Sequence, residues 1–464
     1  MRLLFINPNR RIARDSIWGV INSITPPLGL AILAAVLEKN GHEAEIVDAY
    51  AENLSSEQIL SAIASDTEVI GITSTTPEID SAIALARTIR NRYPDKMILM
   101  GGVHPTVFHE RLVADNVCDM VIRGEGEKAI LRLADRQKMK DIHNLTWKGE
   151  DGEVVVNPEA DEFVQLNDLP MPAYHKLPMG KYRSAIGAAI RQPSIGMITS
   201  RGCPGKCTFC YSGMFGQKTR FLSADNVYQQ ILFLKSRYGI REISFYDDTF
   251  TANQQRVEEL CNLMLSNRLD VAWSCFARVD TVKPEILKLM KKAGCHQIMY
   301  GFETTDENVL KAVNKRVKTT QYADVVAWTR NANIDIRGAF MLGSPEETED
   351  SMRATIEYSK KIDIQYAIFN ITTPFPGTAL FAWAEENGFL RHTRWQEYDL
   401  SHAILDLPTV SPEAVEVCYR VAYKEFYFRV SYILSHLLSM KTWDSARIHI
   451  EAARKIFSNI VKGK

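Results

Sequence analysis

The 464-residue chain lacks any apolar run approaching ~18 residues, so no part of it is read as spanning a membrane. It also lacks an excess of either charge. Lys and Arg number 55 against 56 Asp and Glu, a net charge of −1, which gives no reason to expect a nucleic-acid partner. No signal peptide precedes "MRLLFINPNR", which opens directly into a strand-like run and points to the cytoplasm. Cysteine is scarce, at eight residues. Scattered thiols in such a chain fit a reducing compartment, where clustered cysteines act as metal ligands and not as disulfides. What is present is an ordinary globular composition, 46 % hydrophobic and 24 % charged, in a chain too long for one core.

From Arg2 to about Lys138, short apolar strands alternate with helical segments. The strands are "RLLFINP", "HEAEIVD", "EVIGITS", "KMILMGG" and "DMVIRG"; the helices include "PPLGLAILAAVLEKNG" and "EIDSAIALARTIRNRY". That alternation predicts an α/β, doubly wound, Rossmann-like domain over 1–140, with ligands beyond the carboxyl ends of its strands. Those ends carry "NPN", "TSTTPE", "GGVHP" and "RGEGE", small polar loops that admit close backbone approach. A polar stretch around "WKGEDGEVVVNPEADEF" reads as hairpin and linker over 141–190. Alternation then resumes over 191–390 with "SIGMITS", "EISFYDD", "VAWSCFARVD", "HQIMYGFET", "DIRGAFMLG" and "YAIFNIT", which suggests a parallel barrel or part of one. The region 391–464 reads as helical. Tyr419, Tyr423, Phe426, Tyr427, Phe428 and Tyr432 fall there within fourteen residues, and from Ser411 nine Lys/Arg stand against five Asp/Glu. This tail suits a helical cap on the barrel and leaves peripheral membrane contact open.

Three of the eight cysteines, Cys203, Cys207 and Cys210, sit in "RGCPGKCTFCYSG" just past the first barrel strand. A structural zinc site wants four closed ligands; here the next cysteine is Cys261, and no histidine lies between Tyr211 and Cys261. Zinc with a distant fourth ligand stays open on spacing alone. Three thiolates on one tight loop also suit a cubane iron–sulfur cluster that leaves one iron free for a small chelating molecule.

The C-x3-C-x2-C spacing, followed by "FYDDTF", "ARVD", "GFET" and "GAFMLGSPEET", resembles the radical S-adenosylmethionine (SAM) superfamily. Upstream, "TPPLGLAILAAVLEKNGHEAEIVDAY" and "GGVHPTVFHERLVADNVCDMVIRGEGE" are similar to its subgroup with an N-terminal cobalamin-binding-type domain. Magnesium-protoporphyrin ester cyclases and cobalamin-dependent methylases belong to that subgroup. The resemblance implies a cobalamin-binding-type domain, a partial (β/α)6 barrel and a helical cap. It implies that Cys203, Cys207 and Cys210 hold a 4Fe–4S cluster whose open iron binds SAM, which is cleaved reductively to a 5′-deoxyadenosyl radical. SAM would be held by Asp247, Asp248 and Glu303, by Arg278 on its carboxylate, by backbone from Gly338 through Met341 to Pro345, and by Phe209 and Tyr246.

Cobalamin, if bound, would meet Ser74, Thr75 and Thr76, and Gly101, Gly102, Val103 and His104. The D-x-H-x-x-G motif of many cobalamin enzymes is absent, and members of the subgroup that the chain resembles often bind cobalamin with no histidine on cobalt. The implied reaction takes hydrogen from an unactivated carbon of a sizeable, partly apolar small molecule (lipid, tetrapyrrole or natural-product intermediate) and methylates it. Cyclisation, dehydration, dehydrogenation or carbon–carbon bond formation without cobalamin is the alternative, and a non-catalytic cobalamin or metal sensor a remoter one. An electron donor such as flavodoxin or ferredoxin is implied as partner. Cys275 and Cys295 read as buried hydrophobes, His42 as a surface residue, and Tyr211, Tyr246 and Tyr300 as lining either a substrate cavity or the core.

Overall fold

Strand β1 (Arg2–Asn7) is a run of apolar residues, Leu3 to Ile6, with no polar alternation. Such a strand is buried on both faces and belongs at the centre of a parallel sheet. A computed structural model describes residues 1–9, 23–185, 187–211, 213–391 and 394–439, and the chain divides into two units. In the first, β1 pairs in parallel with β2 (Glu43–Asp48) on one side and β3 (Val69–Thr73) on the other. Strands β4 (Met97–Gly101) and β5 (Met120–Ile122) extend the sheet in parallel beyond β3. Leu3 and Phe5 bury against Leu30, Ala34 and Leu37 of the helix Leu28–Lys39.

The stretch expected as hairpin and linker is part of this sheet. Strands β6 (Leu145–Lys148) and β7 (Val154–Val156) pair antiparallel beyond β5, giving the order β2-β1-β3-β4-β5-β6-β7. The unit runs on to Tyr182 and takes in Tyr211–Phe221, directly after the third clustered cysteine.

The second unit is an open, all-parallel sheet of six strands. They are β8 (Ser194–Met197), β9 (Glu242–Phe245), β10 (Ala272–Ala277), β11 (Cys295–Glu303), β12 (Asp335–Leu342) and β13 (Tyr366–Ile371), side by side in chain order. Helices between the strands cover the outer face, with Ser223, Asn253 and Thr348 supplying N-caps. On that face Phe302, Phe340 and Phe369 stack strand to strand, with centroids 5.6 and 5.4 Å apart. The segment 183–191 floors the inner face. Ser184 Oγ lies 3.0 Å from Ser194 Oγ, the Ile190 and Arg191 N–H groups donate to Glu242, and Gln297 donates to the Gly187 carbonyl.

A half-barrel leaves β13 with an unpaired edge. The aromatic tail closes it. From the helix Pro412–Tyr427, Tyr423 hydroxyl donates to the Phe369 carbonyl (3.0 Å) and accepts from the Phe369 N–H (3.3 Å). Tyr427 does the same at Ala367, at 2.7 and 3.2 Å, and Tyr432 donates to the Gln365 carbonyl at 3.0 Å. Alternate residues of a strand lie about 6.7 Å apart and one helical turn rises about 5.4 Å, so phenols spaced by a turn match every second peptide. The part of the expected helical region at 440–464 lies outside the described residues. Among the described residues, no helix is long and apolar enough to cross a membrane.

Candidate active site at the mouth of the half-barrel

The loop that leaves β8 is fixed before it reaches the first cysteine. Asp247, fully buried, accepts from Thr199 N–H (2.5 Å), Thr199 hydroxyl (2.6 Å) and Ser200 N–H (3.1 Å). Its counter-charge is Arg256, 3.4 Å away and also buried, which donates in turn to the Thr199 carbonyl and hydroxyl. Both of its oxygens are thus engaged by the loop and by Arg256. Neither acid of the pair caps the following helix, a role that falls to Asn253. Asp248 is the exposed one.

Beyond this anchor the chain curls round Gly205. A Cβ there would sit 3.4 Å from Cys203 Sγ, 3.9 Å from Cys207 Sγ and 3.5 Å from Arg278 Nη1. The loop is pinned from outside by Thr208 N–H on the Val313 carbonyl, Leu380 N–H on the Thr208 carbonyl and Asn314 on the Lys206 carbonyl. All eight cysteines are free. Cys203 and Cys207 are half-buried and Cys210 exposed, whereas Cys118, Cys261, Cys275, Cys295 and Cys418 are buried. Burial, with the nearby Glu303 and Cys203, holds the Cys207 thiol above its ordinary pKa, and the Lys315 and Arg278 charges offset part of that rise. Among the described residues, no group of three His, Cys, Asp or Glu side chains converges as a single-ion shell.

Glu303 ends β11 in the left-handed region (φ +63°), at a break in the register with β12. Its carboxylate lies 2.5 Å from Lys315 Nζ, and both are buried. Sequence reading missed Lys315 and Arg256. Each answers an acid at a strand end from 9 to 12 residues on, a spacing with no local signature. Arg278 holds Asp280 through two bonds of 2.9 Å while facing Gly205. Phe209 is half-buried, and Met341 and Pro345 are buried at the end of β12.

An added Cβ at Gly338 would meet Ile364 and Phe340 at 3.0 Å and Phe302 at 3.2 Å, on the outer, helix-covered face. Tyr300 belongs there too, fully buried with its hydroxyl 3.0 Å from Thr329. Tyr246 lies on the inner face, packed over Gly196 and 5.5 Å from the Phe276 ring.

In the first unit, the chain leaves β1 to one side for β2 and returns to the other for β3. That reversal opens a crevice outside the carboxyl ends of β1 and β3. Ser74 N–H donates to the Gly101 carbonyl, and Gly102 (φ +98°) packs so closely that a Cβ would lie 2.6 Å from the Ser74 carbonyl oxygen. Thr75 is exposed, and Gly101, Gly102 and Val103 are half-buried; Ser74, Thr76 and His104 are buried. His104 Nδ1 lies 3.3 Å from Thr76 Oγ1, and burial holds its pKa down at about 4. The loops thus offer small residues and bare backbone to a large ring, and their one histidine faces Thr76.

Comparison with known proteins agrees with this geometry. Residues 197–359 match the Radical SAM superfamily model, and residues 15–134 the B12 binding domain. An uncharacterized methyltransferase of Pyrococcus horikoshii is 34 % identical over 444 residues, 94 % of this chain and 95 % of that one. A cytidylyl-2-hydroxyethylphosphonate methyltransferase of Streptomyces wedmorensis is 26 % identical over 448 residues, covering 84 % and 82 % of the two chains. The solved cobalamin-dependent SAM radical enzyme OxsB shares the fold with a TM-score of 0.76, at 15 % identity over 99 % of this chain and 72 % of that one.

A B12-type sheet followed by a half-barrel with three clustered cysteines defines a radical SAM enzyme, with a 4Fe–4S cluster, SAM and cobalamin as cofactors. This chain belongs to the cobalamin-binding group of the radical SAM superfamily, alongside the methyltransferases named above.

Proposed function

We propose that the protein methylates an unactivated carbon of a sizeable, partly apolar natural-product-type molecule bound within the half-barrel. The observation that carries this reading is the loop around Gly205. It presents accessible thiols beside Arg278 and Lys315 at the carboxyl ends of the strands, while the other five cysteines are buried. Cys203, Cys207 and Cys210 would hold the cluster. Asp247 and Arg256 would keep that loop in place without touching the nucleotide. Arg278 would take the methionyl carboxylate through its planar fork in exchange for Asp280, and exposed Asp248 the ammonium. Glu303, oriented by Lys315, would accept from the ribose hydroxyls, with Phe209, Met341 and Pro345 about the adenine. Thr75, Gly101, Gly102 and Val103 would face the corrin, supported from beneath by Ser74, Thr76 and His104.

When bound, these cofactors supply an electron that cleaves SAM to a hydrogen-abstracting radical, and a methyl group carried on cobalt. The inner row of Tyr246, Phe276, Met299 and Tyr366 gives the substrate an apolar wall and excludes water from the reacting carbon. The electron would come from a small reductant protein such as flavodoxin or ferredoxin.

The test is anaerobic reconstitution with iron and sulfide, then incubation with dithionite and methyl-labelled SAM. 5′-Deoxyadenosine is expected with or without cobalamin, and S-adenosylhomocysteine only with it. No 5′-deoxyadenosine from a fully loaded enzyme refutes the radical reading. S-adenosylhomocysteine that forms equally without cobalamin refutes methyl transfer through it.

A further inference from the structure

The half-barrel carries one inward-facing row in which the strand register aligns Phe276 of β10, Met299 of β11, Arg337 of β12 and Tyr366 of β13. Three of these are apolar or aromatic; the fourth is a guanidinium. Its carbon lies 5.6 Å from the Tyr366 ring centroid, and the Gly187 backbone packs against the same ring. Among the described residues, Arg337 has no carboxylate partner and no hydrogen bond. An arginine does not shed its proton, so withdrawing it from water without a counter-charge is costly. The Tyr366 ring face offsets a part of that cost.

Two residues further along the strands, about 7 Å, the row is Gly301, Ala339 and Ile368; the Glu303 carboxylate and Lys315 ammonium lie over Gly301, while Ala339, next to Arg337 on its own strand, is small. The row beyond holds Met341 and Asn370, whose side-chain oxygen is buried with no hydrogen-bond partner. An unpaired, half-buried cation and a buried, unpaired carboxamide oxygen thus lie on one wall, with Ala339 and Ile368 between them. Buried polar groups are nearly always satisfied, so the Asn370 oxygen, and with it the guanidinium held partly out of water, points to a ligand that satisfies them.

We propose that Arg337 is a substrate-specificity residue that grips an oxyanion, a carboxylate or a phosphate-type group, at the inner end of the substrate, while Asn370 accepts a hydrogen bond nearer the mouth. This deepens the function proposed above and rests on the substrate lying in the half-barrel. The substrate is then amphipathic: an anionic end on Arg337 and an apolar body along Tyr246, Phe276 and Met299.

The test uses the full chain with its cluster reconstituted, as wild type, Arg337→Gln and Arg337→Lys. Inorganic phosphate and benzoate are titrated separately while Tm is followed, and SAM affinity is measured by equilibrium dialysis in each protein. At least one anion is expected to raise the wild-type Tm saturably, and which one responds names the class. Arg337→Gln should raise the half-saturating concentration about tenfold or more, with Arg337→Lys between the two, and SAM affinity should stay within about twofold.

The proposal is overturned if neither anion acts on the wild type, or if Arg337→Gln responds as the wild type does. It is overturned too if SAM affinity falls in step with the anion response, because the guanidinium then serves the nucleotide. Dithionite-driven SAM cleavage by the same wild-type sample is scored separately. Its absence counts against the radical reading, whereas the Tm series alone decides the role of Arg337.

Discussion

At Asp247 the carboxylate meets two backbone N–H groups, a hydroxyl and the Arg256 guanidinium, all out of water. Replacing it with Ala leaves Arg256 buried and uncompensated, so Asp247→Ala should cost about 3–5 kcal/mol in a urea melt and lower cluster incorporation. Asp248→Ala, at an exposed carboxylate, should change stability by less than about 0.5 kcal/mol and show itself in SAM affinity. Equal destabilisation by both would refute the division of labour. His104 supplies a second measurable consequence. Its folded pKa of about 4 lies below its ordinary 6.5, so the unfolded chain takes the proton first. Stability is therefore full above pH 6.5 and declines as pH falls from 6.5 to 4, by up to about 3 kcal/mol. Urea melts at pH 7 and pH 5 should show this slope in the wild type and a shallower one in His104→Gln.

Tyr423 and Tyr427 of the helix Pro412–Tyr427 and Tyr432 of the helix Val430–Ser439 act together on the edge strand β13 and the residue just before it. Tyr423→Phe removes the partner of both the N–H and the carbonyl of Phe369 in a buried place, and should cost about 1–3 kcal/mol. Tyr432→Phe frees only the Gln365 carbonyl and should cost less. Equal, negligible effects in denaturant melts would mean that apolar packing alone covers the edge. That these aromatics form a cap was legible in the sequence from their helical spacing. Which atoms they satisfy was not, because the edge exists only once six strands have been laid side by side. The cysteine loop was legible because its chemistry is local, three thiols on one turn, whereas Arg256 and Lys315 became visible only when strand ends and helices met.

Each unit has its own sheet and core, and the two sets of residues proposed above to face cofactors divide cleanly between them: the cysteines in the second, the loops after β3 and β4 in the first. If both sets act as proposed, cluster and corrin can be lost one at a time. Cys207→Ser should abolish the broad visible iron–sulfur absorption and 5′-deoxyadenosine formation, while the desalted protein keeps a corrin band after incubation with cobalamin. Gly102→Ala should do the reverse. Its methyl group meets the Ser74 carbonyl at 2.6 Å in a backbone conformation that alanine resists, so the paired loops must part at a cost of about 1–3 kcal/mol. Corrin retention should fall while the cluster and SAM cleavage persist. Gly180→Ala, at an exposed position of the same unit where a Cβ would meet nothing within 4 Å, is the control and should keep both cofactors. Loss of both cofactors in either variant would mean that the sites are not independent. Retention of corrin by Gly102→Ala at the wild-type level would place the contact surface elsewhere than on the locked turn.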